Sequence, residues 1–481
     1  MLNRHIIFSA ALLRLGLYVF LYFSMGIAYS GTGLIGKRYG EEEFYFKSID
    51  NLIKYGQYNY KLDYLPGYAG RMPGYGLVYG LIKLLIPNNQ QYVYNLIIAL
   101  QIILGIIALI YLSKILFILT NRKNLTYATA FTYALSPYSV QNDLFVFTES
   151  FAASALIIST YYFLVALRTG DSIHYLVAGC WLAWVVFLRP FMLPLFGFWT
   201  VAYIYHHRYT ILGNLRRAGY TITLFVLPFV VPDAIWTIRN WSIYNRLVPL
   251  QTEYAGMRYS NLYLETRSFV SSMGEEPVLW STHSLISWLT RHTPPHKSGP
   301  REWQLTKVAT YDSLAWLREQ ILTANNDSLS TPTRMDSENK AVAALRRYRR
   351  AFIEEHPIRH YLIAPLRLTY YLALPDNGAS VFAWPFTELA GWQKAIRLFF
   401  TAWHWFWAGI GLFSFMWWPR NKNISLILIR LAPIYCIILF VLALHHVEQR
   451  YFFLVYPFTL LSAIHALSCI WIYLQKTLQL K

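Results

Sequence analysis

Long apolar stretches alternate along the chain with short polar breaks, a pattern that predicts helices crossing a bilayer. A crossing helix needs about 20 predominantly apolar residues. Ten stretches are candidate spans: residues 6–29, 91–120, 126–142, 150–167, 174–188, 191–206, 218–236, 396–418, 424–444 and 451–475. Several are short, and 174–188 and 191–206 are separated only by Arg189 and Pro190, which predicts a tight hairpin. Residues 6–29 are too long for a signal-peptide core and lack a small-residue cleavage pattern, so they are expected to be a retained first span.

Two stretches break the pattern. In residues 30–90, Phe46, Ile49, Leu52 and Ile53 recur at helical spacing with charges between them, as in an interfacial amphipathic helix. The apolar run from Gly76 to Ile86 stops at Pro87 and is too short to cross, so it is expected to lie in or dip into the interface. Residues 237–395 are rich in charge, Ser, Thr, Asn and Pro and read as a folded extracytoplasmic domain. Within it Asp336–Glu355 is expected to be helical up to Pro357, and 358–375 to lie on a surface. The fold class is therefore an all-α polytopic membrane protein with about ten spans. It divides into an N-terminal transmembrane module (1–236) containing the outer loop 30–90, the domain 237–395, and C-terminal transmembrane helices (396–481).

Composition supports this class and narrows the partners. The chain of 481 residues is 56% hydrophobic and 14% charged, beyond what a soluble core requires. Its net charge of +18 does not form a stripe; the basic residues are scattered through short loops, so nucleic acid is not an expected partner. If Met1 is cytoplasmic, Arg4, Arg122 with Lys123, Arg168, Arg208 with Arg216 and Arg217, Arg420 with Lys422, and Lys476 with Lys481 all fall on the cytoplasmic side. Of the acidic residues only Asp171 joins them. Carboxylates able to do chemistry then face the other side. The three cysteines, Cys180, Cys436 and Cys469, lie in apolar runs without metal-ligand spacing.

Carboxylates beside the outer leaflet suit a substrate presented by the membrane itself. A prenyl-phosphate sugar carries a phosphate that is both its anchor and its leaving group. A carboxylate would take the proton of an attacking acceptor hydroxyl, and fixed cations would stabilise the departing phosphate. Glu41, Glu42 and Glu43 stand at the lip of the first span, and Arg71 follows in a Pro-containing turn. No Gly-rich phosphate loop follows a strand pattern anywhere.

The run Glu41-Glu42-Glu43-Phe44-Tyr45, with Leu52, Gly56, Tyr58 and then Arg71-Met72-Pro73-Gly74-Tyr75, resembles the first outer loop of the polyprenyl-phosphate-sugar dependent glycosyltransferases. These form the GT-C superfamily, and the likeness is to its protein mannosyltransferase and aminoarabinose transferase branch. Further matches keep the same order: Thr148-Glu149-Ser150, Arg189-Pro190, Trp236 with Arg239-Asn240, Tyr348 to Tyr370 around His356-Pro357, and Glu448-Gln449-Arg450-Tyr451 before Pro457. The resemblance implies that Glu41 or Glu42 is the catalytic base and that Arg71 and Arg239 bind the donor phosphate. Tyr45, Tyr75, Glu149, Asn240, Glu448 and Arg450 are implied supporting residues.

It implies further a polyprenyl-phosphate sugar donor, a lipid, glycan or protein acceptor, contact with membrane lipids, and a bacterial inner membrane with the site on the periplasmic side. No cofactor is called; a divalent metal is compatible with the resemblance, although no His/Asp cluster has ligand spacing. The rival readings are a transporter or flippase of lipid-linked sugars, which would be expected to show inverted repeats and broken midplane helices, and a glycan polymerase or ligase.

Overall fold

The computed structural model describes residues 3–30, 43–60, 70–87, 89–251, 260–275, 285–286, 288–289, 300–376, 378, 381–382, 384–416 and 423–479. The helices in chain order are α1 (Arg4–Ser30), α2 (Glu43–Tyr55), α3 (Pro73–Leu85), α4 (Gln90–Thr120), α5 (Lys123–Ala134), α6 (Pro137–Asp143), α7 (Thr148–Thr169), α8 (Ser172–Leu188), α9 (Pro194–His206) and α10 (Leu215–Tyr244). They continue with α11 (Asn261–Ser272), α12 (Tyr311–Ala324), α13 (Thr331–Glu355), α14 (Ala364–Ala373), α15 (Gly391–Met416), α16 (Ile424–Ile437), α17 (Gln449–Phe453) and α18 (Tyr456–Gln479). No strand occurs among the described residues.

Six helical stretches among them are long and apolar enough to cross a membrane: Arg4–Ser24, Gln90–Thr120, Thr148–Thr169, Leu212–Tyr244, Ile424–Ala443 and Tyr456–Gln475. The protein is an integral membrane protein built of helices. The other four expected spans take different forms. Residues 126–142 break at Ser136-Pro137 into α5 and α6, with Pro137 at the first position of α6, where its missing N–H costs nothing. Residues 174–188 fall within the 17-residue α8, and 191–206 begin with a 3₁₀ turn at Pro190–Met192 before the 13-residue α9. Residues 396–418 fall largely within the tryptophan-rich, 26-residue α15.

The chain separates into two compact units: Met1–Met257 with Asp376–Ile434 and Arg450–Lys481, and Arg258–Pro375 with Tyr435–Gln449. In the first unit α4 and α7 run parallel, since Tyr111 meets Tyr162 and, further along both helices, Ile118 meets Arg168. The chain therefore returns across the unit through α5 and α6. Helices α7 and α8 form an antiparallel pair, in which Phe163 packs on Tyr175 and Phe151 on Trp184. Gly179 lets α10 approach: a Cβ there would lie 2.1 Å from the Phe225 carbonyl oxygen.

Inside this unit sits an ion pair between α1 and the last residue of α6. Arg14 lies 2.8 Å from Asp143 and donates to the Tyr133 carbonyl (2.9 Å) and Ser139 hydroxyl (2.8 Å). Tyr18 and Ser150 donate to the same Asp143 carboxylate. Both charges are fully buried, so the pair persists only because every side of it is hydrogen-bonded.

The second unit has its own core, made by Phe269, Leu317, Ile321, Leu345, Tyr348 and Phe352 from α11, α12 and α13. Helix α13 extends the expected 336–355 stretch back to Thr331, where Ser330 caps the backbone N–H of Thr333. Residues 358–375 form a π-helical turn (Arg359–Ile363) running into α14, with Ala364, Leu368 and Leu372 buried and Ile358, Tyr361, Leu362 and Leu366 exposed. An apolar outer face of that kind suits a helix lying in a membrane interface.

Candidate functional site

Side chains from α3, from just ahead of α3 and from the α8–α9 turn converge on Tyr45 in α2. Helix α2 is amphipathic as expected, but its buried face is Tyr45, Phe46 and Ile49, while Leu52 and Ile53 are exposed. Phe46 fixes the register by stacking on Tyr79 of α3 with ring centroids 4.1 Å apart. The glycines of α3 permit this closeness: a Cβ at Gly76 would lie 2.8 Å from Ile49, and one at Gly74 would lie 2.7 Å from the Phe187 backbone.

Gly56 ends α2 at φ +71, a conformation glycine adopts without steric cost. The chain then doubles back, and the Asn51 amide donates to the Asn59 carbonyl at 2.6 Å. Tyr58 donates its hydroxyl to the Arg71 carbonyl at 2.9 Å. Arg71 lies two residues ahead of Pro73, the first residue of α3. Its guanidinium carbon sits 4.5 Å from the centroid of the Tyr45 ring, and its Nε is buried with no hydrogen-bond partner among the described residues.

A second guanidinium reaches Tyr45 from the α8–α9 turn: Arg189 donates to the phenol oxygen at 3.3 Å. Arg189 also pairs with Glu149 in the first turn of α7. Arg450 approaches the same Glu149 oxygen at 3.5 Å and lies over Phe147 and Tyr451. The Glu149 carboxylate is fully buried and accepts in addition from Thr148. Three guanidinium groups thus surround one carboxylate and one phenol. A surplus of positive charge in a largely dry setting suits an incoming anion, and guanidinium forks match phosphate oxygens geometrically.

Arg239, near the C-terminal end of α10, donates to the Tyr58 carbonyl and, at 2.8 Å, to the Asn240 side chain. It lies 4.8 Å from the Trp236 ring and 5.5 Å from the Tyr58 ring. Asn240 donates onward to the Val248 carbonyl at 3.0 Å. Arg239 and Asn240 therefore brace the loop turn that presents Arg71. Burial pushes the Tyr58 phenol above its ordinary value, although Arg239 and Arg71 both pull it down, so the hydroxyl remains a donor at neutral pH.

Tyr75 is buried at 2% exposure and donates to Gln101 at 3.1 Å, while Gln101 donates to the carbonyls of Asp143 and Phe145. This chain of bonds links the site to the Arg14–Asp143 pair. Glu448 pairs with His446 at 3.1 Å in the second unit, and Arg450 pairs with Glu149 in the first. Glu41 and Glu42, the expected base, lie outside the described residues, and Glu43 is the first residue of α2.

Glu149, Arg189 and Arg450 belong to separate sequence motifs that only the fold joins, and Arg14, Asp143 and Gln101 are not among the residues the sequence puts forward. The available signal was a charge isolated within an apolar run, which is costly in a membrane and therefore paired or functional. Among the described residues no group of three or more His, Cys, Asp or Glu side chains is placed to hold a metal ion.

No protein-family model and no curated protein matches this chain. Two crystal structures of the Archaeoglobus fulgidus oligosaccharyltransferase are similar to it. The complex with zinc and sulfate is 12% identical with a TM-score of 0.47, covering 98% of this chain and 49% of that one. The form tethered by a disulfide to an acceptor peptide containing the NVT sequon is 11% identical with a TM-score of 0.45, covering 99% and 50%. The chain spans about half the length of these solved structures.

Proposed function

We propose that this protein is a membrane glycosyltransferase of the GT-C type that moves one sugar from a polyprenyl-phosphate carrier to an acceptor at the periplasmic face of a bacterial inner membrane. The observation that carries the reading is the meeting of Arg71 and Arg189 at the buried Tyr45, with the Arg71 Nε unpartnered among the described residues. A lipid phosphate arriving from the membrane would find cations already desolvated and held by packing. Arg239 supports the same phosphate site from behind, through the Tyr58 turn.

In the proposed reaction the acceptor hydroxyl oxygen attacks the anomeric carbon on the face opposite the phosphate. The new glycosidic C–O bond forms as the bond from that carbon to the phosphate oxygen breaks, with inversion. Glu41 or Glu42, just ahead of α2, takes the hydroxyl proton, and the electron pair leaves with polyprenyl phosphate. The acceptor is a lipid, a glycan or a protein hydroxyl. Both termini are cytoplasmic in this reading, and the chain crosses ten times; the parallel course of α4 and α7 supports a return crossing through α5 and α6.

Arg71→Ala tests the phosphate assignment. Lipids co-purifying with the wild type are expected to include a polyprenyl phosphate or its sugar ester by mass spectrometry, at least tenfold depleted in the variant. Equal recovery from a variant that elutes and melts like the wild type would remove Arg71 from the site.

A further inference from the structure

A cavity opens at the far end of α7 from Glu149. There α1, α4 and α7 diverge around about 1100 Å³ of space walled by Phe8, Leu12, Leu15, Ile106, Ile110 and Val165. The volume is at the upper end of ordinary small-molecule sites, yet its walls are almost wholly hydrocarbon. A water-filled role is therefore unfavourable.

The cavity is asymmetric in charge. Arg4 and His5 come from the first turn of α1, Lys114 from the C-terminal half of α4, and Arg168 from the last turn of α7. No carboxylate is among its lining residues that the structure describes. Arg168 donates to the Ile118 carbonyl, and the Lys114 ammonium lies 4.9 Å from the Tyr111 ring and 5.5 Å from that of Tyr161, so the rim is positioned by its neighbours. From Arg4 to Leu15 the trough follows α1 for roughly 16 Å at 1.5 Å per residue, close to the hydrocarbon depth of one leaflet, about half of ~30 Å.

We infer that this trough binds one diacyl phospholipid with an anionic headgroup. The lipid comes from the leaflet on the opposite side from Glu149, its phosphate against Arg4, Lys114 and Arg168 and one acyl chain along the trough. Annular lipid touches any apolar helix; three cations at one end of a leaflet-deep groove, without a carboxylate, select for the anionic class. This site is separate from the proposed donor site and needs only that the helices cross a membrane.

The test is native mass spectrometry of the delipidated full-length protein with phosphatidylglycerol or phosphatidylcholine of identical acyl chains. Wild type is expected to hold one phosphatidylglycerol at a concentration at which phosphatidylcholine is retained at least tenfold less. The charge variant Arg4→Gln/Lys114→Gln and the filling variant Ala11→Trp are each expected to weaken phosphatidylglycerol retention about tenfold, and millimolar glycerol phosphate is expected not to displace the lipid. Equal retention of both lipids by wild type would overturn the inference, and this arm needs no variant to fold. Unchanged retention in both variants, or displacement by glycerol phosphate, would overturn it as well.

Discussion

Replacing Glu149 with Gln removes one negative charge and almost no volume from the most buried part of the candidate site. The carboxylate faces Arg189 directly and Arg450 at 3.5 Å. At an effective dielectric of about 20, one such contact at that distance is worth about 5 kcal/mol of Coulomb energy. Desolvation of the carboxylate offsets much of this while the pair is intact, but the variant leaves two guanidinium groups facing each other without a counter-charge. Breaking a buried pair on one side typically costs about 3–5 kcal/mol, against about 0–1 kcal/mol for an exposed pair.

Detergent-solubilised Glu149→Gln should therefore lose on the order of 5–15 °C in its melting midpoint. Glu149→Gln/Arg189→Gln should lose less than the sum of the two single variants, because the double change removes a repelling charge with its partner. A single variant that melts within about 2 °C of wild type, or two single effects that simply add, would refute the claim that this pair organises the site.

Two further outcomes follow from the packing and the titratable groups. Gly74→Val should abolish recovery of monodisperse protein in size-exclusion chromatography, since its Cβ would meet the Phe187 backbone at 2.7 Å; overpacking of that kind costs about 1–3 kcal/mol or more. In the second unit, burial with the nearby His360 and Arg349 lowers the His445 pKa below its ordinary value. The unfolded chain then binds a proton that the folded one resists, so stability falls as pH drops below about 6.5. The melting midpoint should decline between pH 7 and pH 5 more steeply in wild type than in His445→Gln, and equal slopes would show that His445 does not contribute.

Much of this architecture is legible in the sequence because membrane helices announce themselves by length and apolarity. Helices α1, α4, α7, α10, α16 and α18 all fall on predicted spans. The breaks were harder to read. Ser136-Pro137 divides one expected span into α5 and α6, and a proline's effect on a helix depends on neighbours that periodicity does not identify. In α2 the expected apolar face runs on to Leu52 and Ile53, which stand on the same side of the helix two turns after Tyr45 and Phe46, yet burial stops short of them, because how far the packing partners reach along a helix is not given by periodicity.

The candidate site was legible in its members rather than in its wiring. Arg71, Tyr45, Glu149 and Arg450 are each named by the resemblance of local motifs to the GT-C glycosyltransferases. Their pairing depends on which helix ends meet in space, and neighbours on α7, the α8–α9 turn and α17 are far apart along the chain. The same limit explains Arg14 and Asp143: each was visible as a lone charge in an apolar run, but only three-dimensional packing joins them.

The most direct measurement is sugar transfer itself. Wild-type protein reconstituted in vesicles with a radiolabelled polyprenyl-phosphate sugar should release label to an acceptor, and Glu41→Gln/Glu42→Gln should lower that rate at least a hundredfold, in keeping with loss of a general base, while still binding the donor. Turnover by the double variant at the wild-type rate would contradict the account.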